Sequence, residues 1–562
     1  MSERLQAGAA AVAVLRQAGI DCVFGLLGGS MLELYDAIGA APDIAYIGAR
    51  HECAAGHMAD AWARVTGKPG VVLGAQSGPG VSNLVTAVAE AYLAYSPMVV
   101  IAGAITRAHL GRDTFQEIDQ QALFAPIAKR SIMVPTPERL PEMLGEALRV
   151  ANAGRRGPVV LHVPRDIFAA EIDVGPIANL GANVAVGGPS AEQIGALLAM
   201  LQQASRPVIV AGGGIKWSRG SAALAALAEA LDIPVVAATG HADVFATDHP
   251  LHAGQAGPRG NTVASGLTRD ADLLIAVGTR LGFNSTFHSH DYVTATGRIV
   301  QVDVGAAAIG RHFPVALGIV ADARQTVVAL TEAADKKGLD GTSWSAWSKG
   351  FREARARLRL ERDGEGLIAA MPLSPLRVLA EIRETLPEDA IVTLDTGAMC
   401  LQAADRLRHG AAPSLITPLD FGLVGFGYAA ALGAKAAAPG RPVVAVMGDG
   451  GFGMTMIELA TAVQYDLPVV AVVIDNGAWG AEKAYQRDFF GGRFLGADLV
   501  NPPFGEVAAL FGATGYAVDA PGDTGQALVQ ALSERRPAVI HVKVDRDAIA
   551  SLRKDLFAKP VA

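Results

Sequence analysis

The chain has 562 residues, 51% hydrophobic and 18% charged, and 47 Lys and Arg against 55 Asp and Glu give a formal net charge of −8. That composition excludes general disorder, which needs low hydrophobicity and high net charge, and mild acidity without a basic block speaks against nucleic-acid binding. Gly reaches 64 residues, well above the usual share, without the period of three that a collagen helix needs.

The N-terminus lacks a charged region followed by an apolar core, and no run reaches the ~20 apolar residues of a membrane span. Cys22, Cys53 and Cys400 are too few for a disulfide framework and show no metal-ligand spacing. A cytoplasmic protein without membrane attachment is expected.

The length suggests three or four domains. In chain order, the apolar runs Val71–Ala75, Met98–Ala102 and Pro158–Val163 come first. A Gly-rich stretch over 170–190 then reads as a linker. Val208–Ala211, Val235–Ala238, Leu273–Val277 and Ile299–Val304 follow, with Ser221–Ala230 helical between them. The polar, charged stretch 334–365 reads as a helical connector. Ile391–Leu394, Val443–Met447, Val469–Ile474 and Ala538–Val544 complete the set, with Met454–Tyr465 as a helix.

Most of these runs are continuously apolar rather than alternating, as strands covered on both faces are. Strand alternating with helix predicts βαβ units. The expected fold is α/β, with three doubly wound parallel-sheet domains over 1–180, 190–335 and 365–562.

Many runs end in Gly, Asp or Asn, and open parallel sheets bind ligands outside the carboxyl ends of their strands. The strongest such end is Gly448-Asp449-Gly450-Gly451, followed one βαβ unit later by Asp475-Asn476. Consecutive strands of such a unit are usually neighbours, so Asp449 and Asn476 should lie side by side. One carboxylate and one amide oxygen suit Mg²⁺, which takes few protein ligands and completes its shell with phosphate and water. The glycines free backbone N–H groups for an anion at the helix start. Gly-Asp-Gly alone also fits an ordinary tight turn; the Asp-Asn pair at the next strand end favours Mg²⁺-diphosphate.

Gly448-Asp449-Gly450, 24 residues, then Asp475-Asn476 resembles the signature of the thiamine diphosphate (ThDP) enzymes. The resemblance implies Mg²⁺ held by Asp449, Asn476 and the carbonyl of Ala478, with Gly448, Gly450 and Gly451 beside the diphosphate. Asp475 departs from the family, which usually has Asn there. Glu52, in Arg50-His51-Glu52, resembles the glutamate that exchanges a proton with the cofactor's aminopyrimidine. Thr396, Gly397 and Ala398 resemble the loop over the diphosphate. Gly422 and Val424 fall in the segment that props the cofactor in a bent shape, with Val424 where many relatives carry Met. The family also implies a homodimer or homotetramer with the active site at the subunit interface.

Within the family the likeness is to the acetolactate synthase-like group. Phe115-Gln116-Glu117 resembles its active-site segment, with Gln116 placed to hydrogen-bond a substrate carbonyl or the intermediate. His51, His57 and His109 are candidates to relay protons near neutral pH. Gly25–Met31, Gly278–Leu281, Gln301–Asp303 and Trp479–Lys483 resemble the sulfoacetaldehyde acetyltransferase subgroup, which transfers acetyl to phosphate. Acetolactate synthase-like carboligases, cyclohexane-1,2-dione hydrolase-like lyases and a non-catalytic cofactor-binding homologue remain as alternatives. The implied substrate is a small carbonyl compound. An anionic one would need cations, for which Lys483, Arg487, Arg112, Lys129 and Arg130 are candidates. Gly212-Gly213-Gly214 after a strand leaves FAD open in the middle domain, since some relatives hold it and others hold nothing there.

Overall fold

The structure, a computed structural model, describes residues 3–174, 186–418 and 420–551. The centre of the expected linker, 175–185, lies outside the described residues. Among the described residues no helix is long and apolar enough to cross a membrane.

Among the described residues three six-stranded parallel sheets flanked by helices make the fold, with a two-stranded antiparallel pair, Glu3–Gln6 and Glu171–Val174, whose second strand takes up the start of the stretch expected as linker. The first runs Ala45–Gly48, Cys22–Gly25, Gly70–Leu73, Met98–Ala104, Pro158–Pro164, Arg130–Met133. The middle sheet runs His252–Gln255, Val235–Ala237, Pro207–Ala211, Leu273–Val277, Arg298–Asp303, Leu317–Val320. The third runs Leu415–Ile416, Ile391–Leu394, Val443–Gly448, Val470–Asp475, Ala538–Lys543, Thr514–Val518. All eleven apolar runs are strands, with ends within two residues of those expected. They are buried, as the continuously apolar strands of parallel sheets with helices on both faces are.

By contacts the chain divides into two compact units. One holds 1–185 with 418–440 and 454–469, and so the first sheet plus helices Phe426–Ala437 and Leu459–Gln464. The other holds 186–417 with 441–453 and 470–562, and so the middle and third sheets.

Two expected elements differ. Met454–Tyr465 is not one helix: Asp449–Thr455 and Leu459–Gln464 are joined by a 3₁₀ turn over Met456–Glu458. The stretch 334–365 is not one connector helix either. Helix Ala323–Lys336 ends within it, and a second helix, Ser345–Glu365, begins after Gly338 and Gly341, both in the left-handed region. A side chain at Gly341 would place Cβ 2.2 Å from the Leu231 carbonyl oxygen, so the chain turns there on glycine.

Helix Glu52–Thr66, rich in Ala, packs against helix Phe426–Ala437 within the first unit. Small residues let the two backbones approach closely: a Cβ at Gly433 would lie 2.0 Å from the Met58 carbonyl oxygen. Gly433→Val should therefore destabilise the fold by about 1–3 kcal/mol through overpacking. Chemical denaturation of the variant beside the wild type measures it, and an unchanged midpoint would contradict this packing.

Candidate active site

In the first and third sheets the strand order reverses between the first and third strands in sequence, which places a crevice at those two carboxyl ends. In the third sheet these are Ile391–Leu394 and Val443–Gly448, paired in register through Leu394 and Val446. Thr396-Gly397-Ala398 and Asp449-Gly450-Gly451 therefore emerge side by side. Gly397 has φ +145° with open space where a Cβ would sit, and Thr396 N–H donates to Asp395 Oδ1 at 2.6 Å.

Asp449 and Asp475 end neighbouring strands, and Asn501 bridges them: its Nδ2 donates to Asp449 Oδ2 at 2.7 Å and to Asp475 Oδ1 at 2.9 Å. Asp475 Oδ1 also accepts from Gly477 N–H at 2.8 Å, and Oδ2 from His541 Nε2 at 2.8 Å. Burial opposes its ionisation, but the bonds from His541, Gly477 and Asn501 outweigh burial and pull Asp475 down to about 2. These partners account for the acidic residue at this position. Asp449 goes the other way: burial, countered by Asn501 and reinforced by the like charge of Asp475, pushes it up to about 6. Asp449 has no cationic partner among the described residues.

Gly450 packs flat against Trp479, whose ring would lie 2.4 Å from an added Cβ. Ala478 is buried, its segment held by the Trp479 N–H to Ala497 carbonyl bond of 2.7 Å. Asn476 lies close enough to Gly480 that a Cβ there would meet its Nδ2 at 2.9 Å.

The first unit holds Glu52, at the first position of its helix, with the His51 Nδ1 accepting from Cys53 N–H at 3.1 Å as the helix cap. Glu52 is 8% exposed. Its Oε2 accepts from Asn83 Nδ2 at 2.9 Å, while Oε1 faces Gly80, where a Cβ would come within 3.1 Å. The turn before the helix is held by Glu458, fully buried at the break between two helices. Its carboxylate accepts from Arg50 N–H at 3.0 Å, His51 N–H at 3.1 Å and the Thr461 hydroxyl at 2.6 Å. Burial pushes the Glu458 pKa up against those donors.

Gln116 sits at φ +68°, its Oε1 accepting from Gln76 Nε2 at 2.7 Å. Gly78, at φ +72°, faces the Gln116 carbonyl oxygen, only 2.4 Å from where its Cβ would be. Gln120 fixes this loop: Oε1 accepts from Gly78 N–H at 2.9 Å, and Nε2 donates to the Gly103 carbonyl and His162 Nδ1. Gly422, at φ +67°, and half-buried Val424 precede helix Phe426–Ala437 in the same unit.

Residues 5–123 match the N-terminal TPP binding domain of the thiamine pyrophosphate enzymes, 194–330 their central domain, and 395–542 their C-terminal TPP binding domain. The chain belongs to the thiamine pyrophosphate enzyme family. It is 34% identical to a sulfoacetaldehyde acetyltransferase of Alcaligenes xylosoxydans xylosoxydans, over 97% of this chain and 94% of that protein. It is 34% identical to the acetolactate synthase large subunit of Corynebacterium glutamicum, over 97% and 88%. A probable acetolactate synthase large subunit of Methanocaldococcus jannaschii is 32% identical over 95% and 91%. The chain is thus a ThDP-dependent enzyme with ThDP-binding domains at both ends.

The residues present fit a ThDP enzyme's cation and diphosphate: a buried carboxylate without a cationic partner beside glycine-lined strand ends is a place where a divalent ion relieves charge. Sequence reasoning missed Asn83, Asn501, Glu458, Gln120 and His541, which are remote in sequence from what they hold. Of the candidate cations, Lys129 donates to the Ala153 carbonyl at 2.8 Å and Arg130 pairs with Glu146. Lys483 pairs with Asp498 at 2.8 Å and Arg487 with Asp488 at 2.7 Å.

His162 supports the Gln120 loop as a neutral ring, its Nε2 at 2.9 Å from the Ser131 hydroxyl. Burial lowers it from 6.5 to about 4. A value below the unfolded one means that this stability is complete above pH 6.5 and is lost as pH falls towards 4. His57, lowered to about 3, and His252 and His409, lowered to about 4, act in the same direction. The melting temperature should fall between pH 7.5 and pH 5, and His162→Gln should shrink that fall without removing it. Calorimetry at both pH values provides the measurement.

Proposed function

We propose that the chain is a sulfoacetaldehyde acetyltransferase-like enzyme that cleaves the C–S bond beside an aldehyde carbonyl, releases sulfite and passes the acetyl group to phosphate. The single observation that carries catalysis is Glu52: a buried carboxyl with one oxygen held by an amide and the other beside a glycine. When bound, ThDP supplies a thiazolium C–H whose conjugate base adds to carbonyls and stabilises the charge left behind.

Glu52 Oε1 is the oxygen left to hold and return a proton at the aminopyrimidine, because Asn83 occupies Oε2. Asp449, Asn476 and the Ala478 carbonyl would hold Mg²⁺, one carboxylate among neutral oxygens. Gly448, Gly450, Gly451 and Thr396-Gly397-Ala398 would receive the diphosphate, and Gly422 and Val424 would support the cofactor's bend. Gln116 would orient a substrate carbonyl. His51, with Nδ1 used as a cap, would relay protons through Nε2. In this reading 1–180 serves the pyrimidine, 365–562 the diphosphate and 190–335 is the central domain, where FAD remains a candidate guest.

A homodimer or homotetramer is part of the same proposal. The first unit carries exposed Leu27, Phe115, Ile118, Met454 and Ile457, apolar surface of the kind a partner subunit covers. The acetyl-to-phosphate reaction is supported by the likeness to sulfoacetaldehyde acetyltransferases. A carboligase reading is supported by comparable identity to acetolactate synthases.

Glu52→Gln should leave ThDP bound, by fluorescence quenching, and lower turnover at least a thousandfold; full activity in that variant would overturn the assignment. A donor screen of sulfoacetaldehyde, pyruvate and cyclic diketones, with and without phosphate, should yield acetyl phosphate only from sulfoacetaldehyde with phosphate. Acetolactate from pyruvate alone would replace the first reading by the second.

A further inference from the structure

Outside the site described, the second unit contains an open pocket with a cavity volume of about 100 Å³. One wall is helix Ser345–Glu365, which presents Arg355, Arg359 and Arg362. The spacing of four and three residues puts all three on one helical face. The opposite wall follows helix Ala398–Arg406 and adds Arg406 and Arg408, with Arg383 alongside. The helix is firmly seated: Trp344 Nε1 donates to the Leu231 carbonyl at 2.8 Å and Ser348 Oγ to the Asp232 carbonyl at 2.6 Å.

Four of the six arginines are matched by carboxylates. Arg362 pairs with Asp405, Arg383 with Asp363 at 2.9 Å, Arg406 with Glu365 at 3.1 Å and Arg408 with Glu384 at 3.2 Å. Asp405 has no capacity to spare, since its carboxylate also accepts from Gln255 N–H at 2.7 Å and from Asn261 Nδ2 at 3.2 Å. The other two arginines are not matched. Arg355 donates only to carbonyl oxygens, of His252 at 2.9 Å and of the 247–249 turn. Arg359 is exposed, and its side chain makes no hydrogen bond or ion pair among the described residues. Burial and then repulsion from Arg359 lower the Arg355 pKa, outweighing the attraction of Asp248, a pocket-lining carboxylate that also lies 3.8 Å from Arg408. The Arg362 Nε is buried without a partner.

Two unmatched guanidiniums four residues apart, with a buried unpaired N–H one turn on, suit a group carrying at least two negative charges and several acceptor oxygens. Apart from His252 the pocket wall offers no ring for a base to stack on. We propose that this pocket binds the phosphate chain of a di- or triphosphate, free or carried on a nucleoside, through Arg355, Arg359 and Arg362. The site is separate from the one proposed for the cofactor diphosphate, although helix Ala398–Arg406 begins at the Thr396-Gly397-Ala398 loop and ends in this wall.

The test is calorimetric titration of the full chain, saturated with ThDP and Mg²⁺, with inorganic diphosphate, ADP and adenosine at low ionic strength. One diphosphate or ADP should bind per chain and adenosine should not. Equal affinity for the two phosphates would identify the phosphate chain alone as the ligand, and tighter ADP binding a nucleoside-borne one. Arg359→Glu, which removes no internal contact, should keep the wild-type melting temperature and lose at least tenfold in affinity. Arg139→Glu, the same charge change on the first unit, should bind as the wild type does. Wild-type affinity in Arg359→Glu, or no heat and no melting shift in the wild type, would overturn the proposal.

Discussion

Two carboxylates, Glu52 and Asp449, are buried against amide donors rather than against cations, and the rest of the candidate active site follows from that constraint. An arginine or lysine in either place would tie up the carboxylate in an ion pair and leave it no oxygen free for a ligand. An asparagine side chain does less: it meets one oxygen's hydrogen-bonding demand and leaves the charge uncompensated. Asn83 does this for Glu52 and Asn501 for Asp449. The arrangement costs folding energy, because a buried carboxylate without a counter-charge is expensive. That cost is borne by strongly packed surroundings: the buried central strands of a parallel sheet behind Asp449, and the close Ala- and Gly-based packing of two helices behind Glu52.

Much of the fold was legible in the sequence because parallel strands in the middle of a sheet are apolar on both faces. The edge strands were not, for the same reason inverted. Thr514–Val518 alternates exposed and covered residues, and Arg130–Met133 is polar at its start. Cys22–Gly25 is central and buried, but its four residues, with a Gly at the end, are too short to stand out as a run. The broken helix at Met456–Glu458 was invisible because Glu is an ordinary helix former there. Only the unpaired N–H groups of Arg50 and His51, distant in the chain, make Glu458 turn inward.

The candidate site divides in the same way. Gly448-Asp449-Gly450 and Asp475-Asn476 carry a local signature, since strand ends, glycines and acids must follow one another at fixed spacing. Asn83, Gln120, Asn501 and His541 have no such signature. Each acts on a residue far away in sequence, and polar residues of these types are common in any loop.

Asp475 illustrates what a motif reading leaves out. In the sequence it is an acid where an amide is usual, and a second carboxylate beside Asp449 would repel it. In the structure its two oxygens accept from His541, Gly477 and Asn501, three donors where an amide oxygen would use one or two. Its negative charge is therefore spent on those bonds before it can compete for a cation. The residual repulsion falls on Asp449, whose carboxyl is held above its ordinary range by burial and by that neighbour. A divalent ion would be drawn to Asp449 by both effects, so the acid at position 475 favours the cation site proposed there.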